Sequence, residues 1–82
     1  MNITEEQIHE IIKALANKKS CFYSMRDAYV NSRENPFYSE AYGMEQTLQM
    51  LGVEYEYEFD NDYECTAIIC GEFREEIETF KK

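Results

Sequence analysis

Apolar and polar residues alternate along this chain with two different periods, and the change of period divides it. From Ile8 to Tyr29 the positions 8, 11, 15, 18, 22, 25 and 29 read Ile, Ile, Leu, Lys, Phe, Met and Tyr. That is one face of a helix with Lys18 out of place, and its aliphatic stem can lie along the seam with the ammonium in water. Thr4 and Gln7 form a capping box at its start, Ile3 and Ile8 a hydrophobic staple, and Glu5 and Glu6 suit the positive end of the helix dipole. No Gly or Pro occurs before Pro36, so one long helix is expected over residues 5–33, with Asn17–Ser20 as the place where it could break. A second helix is expected from Pro36: Asn35 caps it, Pro36 suits the first turn, Phe37, Ala41, Met44, Leu48 and Leu51 share a face, and Gly52 stops it.

After Gly52 the period becomes two. Val53, Tyr55, Tyr57 and Phe59 alternate with Glu54, Glu56, Glu58 and Asp60, and Tyr63, Cys65, Ala67 and Ile69 continue the alternation beyond Asp60-Asn61-Asp62. A β-hairpin over residues 53–71 follows. A three-residue loop would set Phe59 opposite Tyr63, Tyr57 opposite Cys65 and Tyr55 opposite Ala67, with Glu58 facing Glu64. Phe73, Ile77 and Phe80 then predict a short helix over 72–81. The expected fold is a single α+β domain spanning 1–82: an antiparallel α-hairpin, a two-stranded antiparallel β-hairpin and a C-terminal helix, in the order ααββα. The first helix would be about 43 Å long and the second about 24 Å. Ile8, Ile11, Ile12 and Leu15 must therefore be covered either by the C-terminal part of the chain or by a second copy, which makes a homodimer the alternative assembly.

Composition changes this picture little, and charge changes it more. Of 82 residues, 44% are hydrophobic, enough for one modest core. The three cysteines, Cys21, Cys65 and Cys70, lack redox or zinc spacing and read as reduced thiols. An acidic N-terminus and the lack of a long apolar run imply a cytoplasmic protein without a signal peptide or membrane span. The net charge is −9, and it lies in the middle of the chain: residues 34–73 hold ten acidic residues and no Lys or Arg. Direct binding to nucleic acid or to an anionic membrane is thereby disfavoured, and a basic protein is the partner this charge would attract.

Catalytic chemistry finds no support. His9, the sole histidine, has Glu5 and Lys13 at one-turn spacing and reads as part of a solvated face. Cys21 lies near Lys18 and Lys19 but three helical turns from His9. Glu72, Glu75, Glu76 and Glu78 lie among Arg74, Lys81 and Lys82, as a solvated helix face would. Asp60-Asn61-Asp62 begins like a calcium loop without the glycine and distal glutamate that such a loop needs. No cofactor, metal site or catalytic residue is expected, and the chain does not read as an enzyme. What stands out is a row of carboxylates. Glu54, Glu56 and Glu58 project from one strand face at about 6.6 Å intervals, and Asp60, Asp62 and Glu64 carry the row around the turn. Single-sign rows of this kind steer oppositely charged partners, although an outer strand face made soluble by charge would look similar, and Arg74, Lys81 and Lys82 folding back over the row would neutralise it. Tyr38 and Tyr42, one turn apart beside the apolar face of the second helix, are either core or part of the same contact surface.

The segment Val53-Glu-Tyr-Glu-Tyr-Glu-Phe-Asp, in a short acidic chain, resembles small phage-encoded inhibitors of the anti-CRISPR and DNA-mimic type. Phe37-Tyr-Ser-Glu-Ala-Tyr-Gly-Met-Glu is similar to segments of small prophage proteins. The resemblance implies inhibition without catalysis, by occupying the nucleic-acid channel of a basic nucleic-acid-binding protein or by blocking assembly of the target.

Overall fold

The computed structural model describes residues 3–29 and 31–81. Helix α1 spans Glu5–Ser24, a 3-10 turn spans Ser32–Glu34, and helix α2 spans Pro36–Met50. Strands β1 (Glu56–Phe59), β2 (Cys65–Cys70) and β3 (Phe73–Glu76) follow and form an antiparallel sheet in that order. The α+β class and the antiparallel helix pair stand. The two-stranded hairpin and the C-terminal helix give way to a three-stranded sheet.

Helix α1 begins with the expected capping box. Gln7 N–H donates to Thr4 Oγ1 at 3.1 Å, and Thr4 N–H donates to Gln7 Oε1 at 2.9 Å. Its end is the first correction: it stops at Ser24, not near residue 33. The Ser24 hydroxyl donates to the Cys21 carbonyl at 2.6 Å, the Asn35 amide to the Phe22 carbonyl at 3.1 Å, and the chain turns through residues 25–28. Side chains thus take up carbonyls at the helix terminus, where a glycine would otherwise mark the stop. The remainder of the long-helix expectation includes Val30, which lies outside the described residues, as do Met1, Asn2 and Lys82.

Asn35 is 2% exposed and serves both helices. Its side-chain oxygen accepts from Phe37 N–H at 3.0 Å, capping α2, while its amide holds the end of α1. Helix α2 ends in a Schellman motif, with Gly52 (φ +73) donating to Gln49 and Val53 to Leu48, both at 3.0 Å.

The second correction is the C-terminal segment. Residues 73–76 pair with β2 through a two-residue turn, Gly71-Glu72, in which Gly71 takes φ +62. Glycine at the first central position of such a turn is a hairpin signal. A lone helix of about ten residues is marginal in water, whereas a third strand completes β2 and covers α1.

The third correction is register. Tyr57 faces Ile68, Glu58 faces Ala67, Glu56 faces Ile69 and Phe59 faces Cys65, with a bulge between Glu58 and Phe59. Glu58 and Glu64 are not partners. This register turns Tyr57 and Ile68 toward the helices and leaves the glutamates on the outer face.

Helix α1 lies between α2 and strands β2 and β3. Ile12, Leu15, Leu48 and Ile68 are fully buried and cluster with Ala41, Tyr23, Cys65 and Ile77, while Ile8 and Ile11 pack against the edge of that cluster. Of the apolar half of α1 that raised the question of a second copy, Ile12 and Leu15 are covered within the single chain, whereas Ile8 and Ile11 stay half-buried. No helix among the described residues is long and apolar enough to cross a membrane.

Candidate functional site

The outer face of the sheet carries Glu56 and Glu58 from β1, Ala67 and Ile69 from β2, and Arg74 and Glu76 from β3, as the register requires. Arg74 Nη1 lies 2.6 Å from Glu58 Oε2, and Arg74 Nε donates to Glu76 Oε1 at 3.0 Å. To reach β1 from β3 the guanidinium must cross β2, a span of about 10 Å. The small Ala67 lies between them and is fully buried. Both carboxylates hold the Arg74 pKa above its usual value, Glu58 the more strongly.

Beyond β1 the chain bends through a loop organised by Asp60. Asp60 Oδ1 accepts from Asp62 N–H at 2.8 Å and Glu64 N–H at 3.1 Å, and Tyr63 adopts φ +61. The acids of this loop are held by cations from distant parts of the chain. Lys81 Nζ donates to Asp60 Oδ2 and Asp62 Oδ2, each at 2.5 Å, and lies 3.7 Å from Glu64 Oε1. Arg26 donates to both oxygens of Glu64, at 2.7 and 2.8 Å, and also to the Thr79 carbonyl. The Arg26 Nε is buried without a hydrogen-bond partner among the described residues. The bond from Lys81 holds the Asp60 carboxyl below its usual range, and Asp60 followed by Asp62 raises Lys81 in return.

The expected row of six carboxylates therefore divides. Glu58, Asp60, Asp62 and Glu64 are paired with Arg74, Lys81 and Arg26, whereas Glu54 and Glu56 are exposed and have no cation within 4 Å among the described residues. Glu72, in the Gly71-Glu72 turn, lies at the same end of the sheet as Glu54 when the β1–β2 register is continued, and it too is exposed and unpaired among the described residues.

Tyr38 and Tyr42 are brought together but lie apart from this row, on α2. They are 39% and 56% exposed, and they line a groove of about 290 Å³ with Lys19, Phe22, Tyr23 and Glu45. Lys19 and Glu45 link that groove to β1: Lys19 lies over the Tyr57 ring at 5.0 Å, and the Tyr57 hydroxyl donates to Glu45 Oε2 at 2.7 Å. Burial, followed by the bond to Glu45, pushes the Tyr57 phenol well above its usual range. On the neighbouring side of the core the Tyr23 hydroxyl accepts from Cys65 N–H at 2.8 Å, and burial pushes its pKa to about 12.

His9 is not on a purely solvated face. Its ring stacks on Phe73 at 4.0 Å with 6° between planes, and Nε2 lies 3.7 Å from Glu5. Cys65 is buried, with its thiol pKa raised by burial, and Cys21 and Cys70 are half-buried. Among the described residues no three His, Cys, Asp or Glu side chains are grouped to hold a metal ion.

Of the three clamping cations, sequence reasoning named Arg74 and Lys81 as groups whose folding back would neutralise the row, and it missed Arg26. The position of Arg74 was within reach too: Arg74 and Glu76 keep the two-residue spacing of one strand face, a signal hidden by reading the segment as a helix. Arg26 and Lys81 gave no comparable signal, being 38 and 21 residues from Glu64 and Asp60. The exposed aromatics Phe59, Tyr63 and Phe80, 57%, 87% and 48% accessible, were also not singled out as surface groups. No family model, curated protein or solved structure matches this chain.

Proposed function

We propose that this protein is a small non-catalytic binding protein that engages a basic, nucleic-acid-handling protein through the outer face of its sheet, in the manner of a DNA mimic or anti-CRISPR inhibitor. The observation that supports it is the charge imbalance of that face: among the described residues Glu56, Glu58 and Glu76 surround a single cation, Arg74, and Glu54 stands beside them unpaired. Lysines and arginines of a nucleic-acid channel would find there an array of carboxylates around the half-buried Ile69. Such association is steered by charge and weakens with salt. The homo-oligomeric alternative keeps less support: Ile12 and Leu15 are fully buried within the single chain, and Ile8 and Ile11 are half-buried.

The test is competitive elution. Proteins captured from a bacterial lysate at low salt on the immobilised chain should be released by double-stranded DNA or structured RNA, and the Glu54→Lys/Glu56→Lys variant should capture none of them. Capture that survives both nucleic-acid competition and charge reversal overturns the reading.

A further inference from the structure

The segment after β3 is fastened differently from the rest of the chain. Ile77 is 5% exposed, and its backbone N–H donates to the Thr66 carbonyl at 2.9 Å. Beyond it no described side chain enters the core: Glu78, Phe80 and Lys81 are exposed and Thr79 is half-buried. Polar bonds fasten this stretch. Glu78 N–H donates to Ser20 Oγ at 3.0 Å, Arg26 donates to the Thr79 carbonyl, and Lys81 donates to Asp60 and Asp62. Phe80 sits at φ +55, a left-handed conformation that an aromatic L-residue disfavours, with its ring 48% exposed. Segments with few buried apolar contacts and exposed hydrogen bonds open most readily.

We propose that Glu78–Lys81 is a displaceable strap, in which Lys81 occupies the place on Asp60, Asp62 and Glu64 that a lysine of the basic partner takes on binding. The inference rests on the basic-partner reading above and names how that surface is regulated. An ammonium from another protein has the same chemistry as Lys81, so exchanging one for the other sacrifices little interaction at the carboxylates. Leaving the site lets Phe80 relax to an ordinary backbone. Opening also returns Asp60 and Asp62 to the row begun by Glu54, Glu56 and Glu58, while Glu64 stays with Arg26, so the open form binds a basic partner better and binding favours it. Until then the tethered Lys81 competes from within at high effective concentration.

The probe is a fluorescein-labelled octalysine peptide, followed by anisotropy at low ionic strength. Lys81→Ala is compared with Lys13→Ala, which changes the net charge equally at an exposed helix position with no carboxylate within 4 Å among the described residues. Lys81→Ala should bind the peptide about fivefold more tightly than Lys13→Ala, the order of advantage expected when an intramolecular competitor is removed. Adding Asp60→Asn and Asp62→Asn to Lys81→Ala should abolish the gain. In the unaltered protein, peptide binding should accelerate amide hydrogen exchange at Glu78, whose N–H is bonded to Ser20. Equal binding by Lys81→Ala and Lys13→Ala, or undiminished protection of that amide in the complex, overturns the strap while leaving the basic-partner reading intact. Peptide affinity unaffected by Glu54→Lys/Glu56→Lys sinks that reading instead, and the strap with it.

Discussion

The first and last acids of the β-hairpin row live in different surroundings. Glu54, just before β1, and Glu56, at its start, are exposed without a cation within 4 Å among the described residues, whereas Asp60, Asp62 and Glu64 are gathered around Lys81 and Arg26. In sequence the two groups are continuous and alike. In space one is an unneutralised surface and the other a knot that ties the loop, the end of α1 and the C-terminal segment together. A run of like charges in a chain is thus not yet a field; the fold decides how much of it remains. Here the remainder is largest where β1 begins and at the Gly71-Glu72 turn beside it.

Breaking the knot should have the largest effect. Arg26→Ala removes the two bonds to Glu64 and the bond to Thr79, and hydrogen bonds to charged groups at such part-buried sites suggest a loss of about 2 kcal/mol in urea unfolding. A loss near zero would place the loop acids in the same class as Glu54. Next comes a matched pair. Glu64→Gln should lower stability by about 1 kcal/mol because it weakens a bidentate charge-assisted contact, and Glu56→Gln should stay within about 0.5 kcal/mol of the parent, as exposed substitutions do. Equal effects would erase the distinction between the two regions.

Acid sharpens the contrast. The Asp60 carboxyl, facing Lys81 with Asp62 and Glu64 beside it and Arg26 behind Glu64, is held below its ordinary value in the folded chain. A lowered folded pKa means that its contribution is fully present above the unfolded value of about 3.9 and is lost as pH falls through the folded one. Exchange protection at Glu78 should therefore hold at pH 5 and decline below about pH 4. Lys81 is raised, so its contribution is present below the unfolded value of about 10.4 and disappears only as pH climbs past the higher folded one. The smallest effect belongs to the unpaired end. Neutralising Glu54 and Glu56 together should raise the urea midpoint slightly at low salt, and the gain should vanish near 1 M salt, where the screening length is about 3 Å.

What the sequence disclosed follows the same division between local and distant causes. The start of α1 and the whole of α2 were legible because Thr4, Gln7, Asn35, Pro36 and Gly52 act within a few residues of themselves. The end of α1 was hidden because Asn35 reaches back 13 residues to Phe22. β3 was hidden because Phe73 and Ile77, four apart, fit one turn of helix as well as one face of a strand; only Gly71, at the first central position of a two-residue turn, argued for the strand. The shifted register has a similar origin. Asp60 draws the backbone N–H groups of Asp62 and Glu64 into a five-residue loop, and a three-residue connection satisfied the alternation equally well on paper. The carboxylate row itself was plain. Arg74 and Lys81 could be named as groups able to neutralise it; Arg26, in the turn beyond α1 and 38 residues from Glu64, could not.

Asn35 brings one more consequence. Its carboxamide accepts a bond at one atom and donates one at the other, and both recipients are main-chain groups fixed by separate helices. Aspartate would keep the acceptor and set a negative oxygen against a carbonyl; serine is too short to satisfy both, and glutamine carries an extra methylene into a site that is 2% accessible. A saturation library at this codon, selected for folded protein, should therefore return essentially a single amino acid, whereas the neighbouring codon for Glu34, whose side chain is exposed, should accept most substitutions.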